Sequence, residues 1–405
     1  MPKKRRSAEA ERNPFIIGHL AEGEGFADRD KEVARICAAL RDPSSRVLVY
    51  GDRRMGKSST VRVAAEEVRA AGLPVAVVDL GNATSAEAAA QRVLAAVEKE
   101  VGRRWSDLLL NAVGKLKGTV TVTPSVAPDG TLSLAFTVTP APEPSGKVKQ
   151  FIEVLDAIES ELDVRDLEIG LGLDEFQRLR KWCGEEIDWP LKEMFERHRR
   201  IGYVLAGSER SLIEQMLENK KAGFWKVVDI LPMGPLPESE LADWLAERSK
   251  ATGLGLSPDA AVAVIRIAGP RTRDVVQLAR AVWDRTRSKG SAGTDDVVET
   301  MDLLVVEQAA LHQKLWLRLH DVARKVLLLL ATDAKAEVTG AGTLSKHNLG
   351  PKTTVHRVLK DLVEGEVLVE SVEGGHLFDD PFFRRWVQLN VLQDVGLEAP
   401  PLQVT

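Results

Sequence analysis

The chain has 405 residues, 44% of them hydrophobic and 28% charged, with a formal net charge of -5. This length exceeds one ordinary core and predicts two or three domains, while the composition excludes a disordered or fibrous chain. The acidic balance excludes a molecule-wide affinity for nucleic acid, and two cysteines, Cys37 and Cys183, exclude a disulfide framework and read as reduced thiols of a cytoplasmic protein.

The first six residues, Met1-Pro2-Lys3-Lys4-Arg5-Arg6, are basic, but no apolar segment follows. Residues 1–25 are therefore read as a solvated tail and lead-in segment, with a nuclear address or nucleic-acid arm as the alternative for the basic start, not a signal peptide. Apolar residues at helical spacing run from Asp28 to Leu40, and Asp42-Pro43 ends that helix. Val47-Leu48-Val49-Tyr50 is read as a buried parallel strand. A glycine-rich turn, a helix from Lys57 to about Ala71 and a second strand, Val75–Leu80, follow. A helix is expected at Ala86–Val101, with further strands at Leu167–Leu173, Tyr203–Ala206 and Val227–Leu231. Strands alternating with helices predict an α/β fold, a parallel sheet with helices on both faces.

One segment breaks this rhythm. Thr119–Thr123 and Leu132–Val138 alternate with period two around Pro128-Asp129-Gly130, which has turn chemistry. A β-hairpin inserted at about 117–146, closed by a Pro-rich linker over Pro140–Gly146, is expected there. It reads either as decoration or as a surface for a partner or DNA. From about Pro235 the chain turns helical, at Glu238–Thr252, Ser257–Ala268 and Thr272–Arg287. Residues 311–395 read as three helices followed by two short strands. The longest apolar runs, such as Val326–Ala331, are far shorter than the ~20 residues that span a bilayer.

The chemistry is concentrated in Gly51-Asp52-Arg53-Arg54-Met55-Gly56-Lys57-Ser58, a full match to G-x-x-x-x-G-K-[ST] with a strand before it and a helix after it. Its glycines let successive backbone N–H groups, from Gly51 to Ser59, turn toward a phosphate, and the helix adds its positive end. Lys57 is expected at the β- and γ-phosphates of ATP and Ser58 on Mg²⁺. The strand Leu167–Leu173 ends in Asp174-Glu175, where Asp174 would hold the magnesium through water and Glu175 would act as general base toward the attacking water. Gly170 and Gly172 lie inside this strand and should weaken it. If the strand Tyr203–Ala206 lies between the two nucleotide strands, Ser208 reaches the γ-phosphate or the water; it also suits a helix N-cap. At Gly269-Pro270-Arg271-Thr272-Arg273 an arginine, Arg271 ahead of Arg273, is expected to bridge to the γ-phosphate.

Together these residues resemble the archaeal and bacterial AAA+-type ATPases of the signal-transduction (STAND) class, close to the origin-recognition initiators. Asn13-Pro14-Phe15 and Phe26-Ala27-Asp28-Arg29 are similar to the lead-in that this family packs near the adenine. Arg53-Arg54-Met55-Gly56-Lys57 is similar to its version of the loop, and Leu173-Asp174-Glu175-Phe176-Gln177 to its acidic strand end. Phe378-Asp379-Asp380-Pro381-Phe382-Phe383-Arg384-Arg385-Trp386 is similar to the segment closing its winged helix. The resemblance implies a five-stranded P-loop core (26–235), a helical lid (236–310) and a C-terminal winged-helix domain (311–405). It implies ATP-dependent switching or assembly rather than metabolism. The chain departs from the pattern in its hairpin insert and in lacking a clear arginine finger, for which Arg210, Lys220 and Lys221 are candidates.

Within the C-terminal domain, Val355, Val358, Leu359 and Leu362 are expected to face inward, with Lys352, His356, Arg357 and Lys360 on the opposite face of a recognition helix. Residues 340–394 nevertheless carry six Lys or Arg against eight Asp or Glu, a poor magnet for phosphates. Three functions follow. The first is a regulatory ATPase that couples nucleotide state to a protein partner or to self-assembly. The second is an initiator- or transposition-type ATPase that binds duplex DNA, and the third, with no evident acceptor pocket, is a metabolic phosphotransferase. Scattered histidines without a His-x-x-x-His pair argue against zinc.

Overall fold

The computed structural model describes residues 12–17, 27, 29–101, 106–116, 120–126, 132–139, 144–218, 224–370, 374–394, 396–402 and 404. The chain divides into two compact units, His19–Pro235 and Met1–Gly18 with Leu236–Thr405.

The first unit runs α1 (Asp30–Arg41), β1 (Arg46–Tyr50), α2 (Lys57–Ala70), β2 (Val75–Asp79), α3 (Ala86–Val101), α4 (Ser106–Lys115), β3 (Val120–Val126), β4 (Leu132–Val138) and α5 (Pro144–Val164). It continues through β5 (Ile169–Asp174), α6 (Arg178–Cys183), α7 (Asp188–Arg197), β6 (Ile201–Gly207), α8 (Arg210–Glu218) and β7 (Asp229–Pro232). Five strands form one parallel sheet in the order β2-β5-β6-β1-β7. Strands β5 and β6 are buried at every residue, as a parallel strand covered on both faces must be.

The alternation of side chains along each strand builds two cores. On one face, Ile36 and Leu40 of α1 and Val61, Ala64 and Val68 of α2 pack with Val47, Val49, Val204 and Ala206. On the other, Val93 and Leu94 of α3, Leu155 and Ile158 of α5 and Phe195 of α7 meet Leu48, Leu171, Leu173, Tyr203 and Leu205. The sequence of α3, alanine-rich and free of Gly and Pro, favours helix intrinsically, and its small buried residues let it lie close to the sheet.

The strand glycines prove to be packing devices. A Cβ at Gly170 would lie 3.1 Å from the Leu40 carbonyl oxygen, and one at Gly202 only 2.6 Å from the carbonyl oxygens of Ala39 and Leu40. A Cβ at Gly172 would meet Val61 at 3.3 Å. The missing side chains let the end of α1 and the face of α2 close onto the sheet.

The hairpin β3–β4 is antiparallel and paired along seven positions. Val120, Phe136 and Val138 are buried in the larger core, whereas Thr121, Thr123 and Thr137 face outward. Its turn, Pro128-Asp129-Gly130, lies outside the described residues. The expected linker is shorter than its prolines suggested: Pro144 already begins α5, because proline is tolerated in the first turn of a helix.

In the second unit, α9 (Glu238–Ala251), β8 (Gly255–Leu256), α10 (Pro258–Ala268), α11 (Thr272–Thr286), β9 (Ser291–Ala292), α12 (Thr294–Glu307) and α13 (Ala309–Arg318) precede α14 (Asp321–Thr332), α15 (Ala341–Lys346) and α16 (Lys352–Glu364). A two-stranded antiparallel ribbon of β10 (Leu368–Glu370) and β11 (His376–Phe378) and then α17 (Pro381–Trp386) follow. Phe15, from the start of the chain, is buried here. Its ring packs edge-on to Trp244, and its carbonyl accepts from Arg280. Val355, Val358, Leu359 and Leu362 of α16 are buried, and Lys352, His356, Arg357 and Lys360 are exposed. Among the described residues no helix is long and apolar enough to cross a membrane.

Candidate nucleotide-binding site

The C-terminal ends of the central strands place the sequence-predicted residues of the first unit side by side. Tyr50 of β1 is level with Gly207 of β6, and Asp79 of β2 with Asp174 of β5. Strand β6 lies between β5 and β1, as the expectation for Ser208 required. Loops leaving these ends form the crevice where parallel sheets bind ligands.

The loop from Gly51 to Gly56 returns tightly to α2. Gly51 is pressed against the residue that follows β7: a Cβ there would sit 2.1 Å from the Met233 carbonyl oxygen. Arg54 and Gly56 both have positive φ, 67° and 89°, a conformation natural for Gly56 and strained for Arg54. Met55 is buried as the loop's anchor; Asp52, Arg53 and Arg54 are half-buried. No side chain caps α2 and no acidic residue stands in its first turn. The N-terminus of α2 thus begins without a side-chain cap, and such an end attracts an anion.

Lys57 is buried, with 5% of its surface exposed, and its Nζ donates to the carbonyls of Gly51 and Asp52 at 2.8 and 2.6 Å. Burial lowers its pKa to about 8, opposed by the nearby charges of Glu175, Asp174 and Asp52. Asp174 is buried and its pKa is raised, chiefly by desolvation; the Ser58 hydroxyl, which donates to it, opposes that shift, and the charges of Glu175 and Asp79 add to it.

Glu175 follows at φ 53°, another strained non-glycine position. The Ser208 hydroxyl lies 3.0 Å from both of its carboxylate oxygens, and Gln177 Nε2 donates to Oε2 at 2.6 Å. Ser208 thus engages Glu175.

Sequence reasoning names Arg29 only within the lead-in segment and gives it no role of its own. Its guanidinium donates to the Met55 carbonyl at 3.0 Å and to the Gly234 carbonyl at 2.8 Å, and it pairs with Glu32 at 3.2 Å. It is buried, and desolvation lowers its pKa. One side chain therefore fastens the turn before α2 to the segment after β7. The available signal was an arginine at the last position before an amphipathic helix, three residues ahead of Glu32.

Arg271 belongs to the second unit. There it is buried, pairs with the Asp379 carboxylate at 2.8 Å and donates to the Asp379 carbonyl. Arg210 opens α8, and Lys220 and Lys221 lie outside the described residues.

Ser58 and Asp174 supply one hydroxyl and one carboxylate, hard oxygen donors that suit Mg²⁺, an ion that keeps waters and takes further oxygens from phosphates. Among the described residues no group of three or more His, Cys, Asp or Glu could hold a metal by itself. The donor set fits a magnesium shared with a nucleotide, not a closed protein cage.

No family model matches the chain, and no curated protein matches it. Solved structures do. The Walker-type ATPase PABY2304 of Pyrococcus abyssi is similar over 93% of this chain and 100% of its own, at TM-score 0.61 and 14% identity. The Aeropyrum pernix ORC2 protein, solved as ADPNP-ADP complexes, is similar over 95% of this chain and 98% of its own, at TM-score 0.56 and 16% identity. Its ADP form gives TM-score 0.51, again at 16% identity. The chain therefore has the α/β fold of the P-loop ATPases, with its five-stranded parallel sheet.

Proposed function

We propose that this protein is a magnesium-dependent ATPase of the AAA+/STAND type that couples its nucleotide state to partner binding or self-assembly. The single observation that carries this reading is the meeting of Lys57, Ser58, Asp174, Glu175 and Ser208 at one end of the sheet, beside an uncapped helix N-terminus. Backbone amides from Gly51 to Ser59 hold the phosphates of ATP, and Lys57 neutralises charge between the β- and γ-phosphates. Ser58 and Asp174 hold the magnesium, which, when bound, offsets negative charge on the phosphate oxygens. Glu175 takes a proton from water as the water oxygen bonds to the γ-phosphorus and the bridging P–O bond breaks, leaving ADP and phosphate. Ser208 keeps the Glu175 carboxylate in place. In the second unit, α9 to α12 are the lid, and α14 to α16 with the β10–β11 ribbon are a winged-helix domain. The order of helices and ribbon and the buried face of α16 support that assignment.

Turnover tests the reading directly. Glu175→Gln should bind ATP as tightly as the parent and release phosphate about 100-fold more slowly or worse, the usual contribution of a general base. Undiminished release would remove Glu175 from the reaction.

The exposed face of α16, with Lys352, His356, Arg357 and Lys360, supports a second reading, an ATPase that binds duplex DNA. Here the expected result is salt-dependent binding of a duplex that Lys352→Glu with Arg357→Glu abolishes. Binding absent at low salt, or surviving that pair of changes, excludes a DNA role for this helix.

A further inference from the structure

Gln177 has no role in the reading above, yet it is the least comfortable polar residue near the site. It is fully buried, at 0% exposure. It stands at the N-cap of α6 but makes no capping bond with its side chain. Its Nε2 donates to Glu175 Oε2 at 2.6 Å, while its Oε1 is buried with no hydrogen-bond partner. A buried acceptor left unpaired destabilises the fold. Turning the amide over would not relieve it, because an amide oxygen would then face an acceptor-only carboxylate. The opposite strand accommodates the group by omission: a Cβ at Gly207 would fall 2.6 Å from Gln177 Oε1 and 2.4 Å from Ile213 Cδ1. Ser208, the next residue, donates to the same carboxylate.

We propose that Gln177 is a positioning residue for Glu175: its buried amide, seated on the bare backbone of Gly207, works with Ser208 to fix the carboxylate beside Lys57. The proposal rests on Glu175 being the general base. Each carboxylate oxygen has two acceptor sites, so the bonds from Gln177 and Ser208 orient the group and leave it capacity to receive a proton. Glu175 itself sits at φ 53°, and its amide donates to Asp174 Oδ1 at 3.0 Å.

The experiment measures kcat and KM for Mg²⁺-ATP hydrolysis, ATP affinity by equilibrium titration, and thermal melting. The proteins are the full chain with Gln177→Leu, Gly207→Ala or Glu175→Gln, and Gln177→Leu combined with Glu175→Gln. Gln177→Leu should lower kcat about tenfold or more, as misplacing a reacting group does, with KM and ATP affinity within about twofold of the parent. Added to Glu175→Gln, the same change should leave the residual rate within about twofold, because both act through one carboxylate. Gly207→Ala, which displaces the amide while Gln177 is still present, should reproduce the fall in kcat, and it serves as the probe should Gln177→Leu not fold. An unchanged kcat in Gly207→Ala with ATP still bound overturns the proposal. So does an equal loss from Gln177→Leu in the presence and absence of Glu175, which would mark a structural role. Undiminished turnover in Glu175→Gln alone removes the base itself, and the positioning role falls with it. Loss of turnover there with an additive Gln177→Leu effect overturns the positioning role only.

Discussion

Two clusters, one in each unit, treat buried charge in opposite ways. At the strand ends of the first, Lys57 is buried against two carbonyls with its pKa pulled down to about 8. The buried carboxyl of Asp174 is pushed up, and Arg54 and Glu175 occupy left-handed backbone. In the second, the buried Arg271 closes on Asp379 at 2.8 Å, and Arg385 closes on Asp302 at 2.7 Å. Those arginines are matched within their own unit and hold its helices to its C-terminal segment. The first arrangement carries backbone strain and desolvation, which cluster at functional sites; the second is architecture.

Removing Lys57 breaks the comparison most sharply. Lys57→Ala deletes a charge-assisted contact to phosphate, so ATP affinity should fall about 100-fold or more by titration. Its melting temperature should stay at or above the parent's, since a desolvated cation is gone. A large loss of stability with normal ATP affinity would make Lys57 a structural residue and erase the contrast.

Arg271 gives the converse test. Removing one partner of a buried ion pair costs about 3–5 kcal/mol, so Arg271→Ala and Asp379→Ala should each lower the melting temperature of the second unit by order of 10 °C. Replacing both should recover part of that loss. The γ-phosphate role expected of Arg271 is a proposal with its own readout, phosphate release measured in the same two variants. Slower turnover in Arg271→Ala but not in Asp379→Ala supports it. Equal turnover in both leaves Arg271 with its ion pair alone.

Much of this was legible in the sequence because the signals were local. Val47–Tyr50, Gly51–Ser58 and the helix after them form one continuous pattern, and α3 was bounded correctly because its helical pattern runs unbroken from Ala86 to Val101. Gly170 and Gly172 misled because their reason is tertiary: the neighbours they admit, Leu40 at Gly170 and Val61 at Gly172, are more than about 100 positions away in the chain. The role of Arg29 was missed for the same cause, its acceptors being the carbonyls of Met55 and Gly234. Local pattern reports which groups are present. It does not report which distant backbone will need them.

His312 offers the smallest effect and tests whether every orphaned polar atom signals a ligand. It is the buried residue of α13, packed against Phe383 and Trp386, and its Nδ1 has no partner. Burial lowers its pKa, with the charge of Asp380 opposing, and burial shifts His376 in the same direction. A histidine whose folded pKa lies below its unfolded value of about 6.5 leaves the unfolded state with more bound protons as pH falls. Its stabilising effect is therefore complete above that value and is lost as pH drops toward the folded pKa. Melting of the second unit should accordingly fall between pH 7.5 and 5.5, and His312→Phe should reduce that fall by about 2 °C without changing ATP affinity. An unchanged pH slope would mean that the ring is hydrated in solution. A changed ATP affinity would place His312 with Lys57, among groups that act on ATP binding.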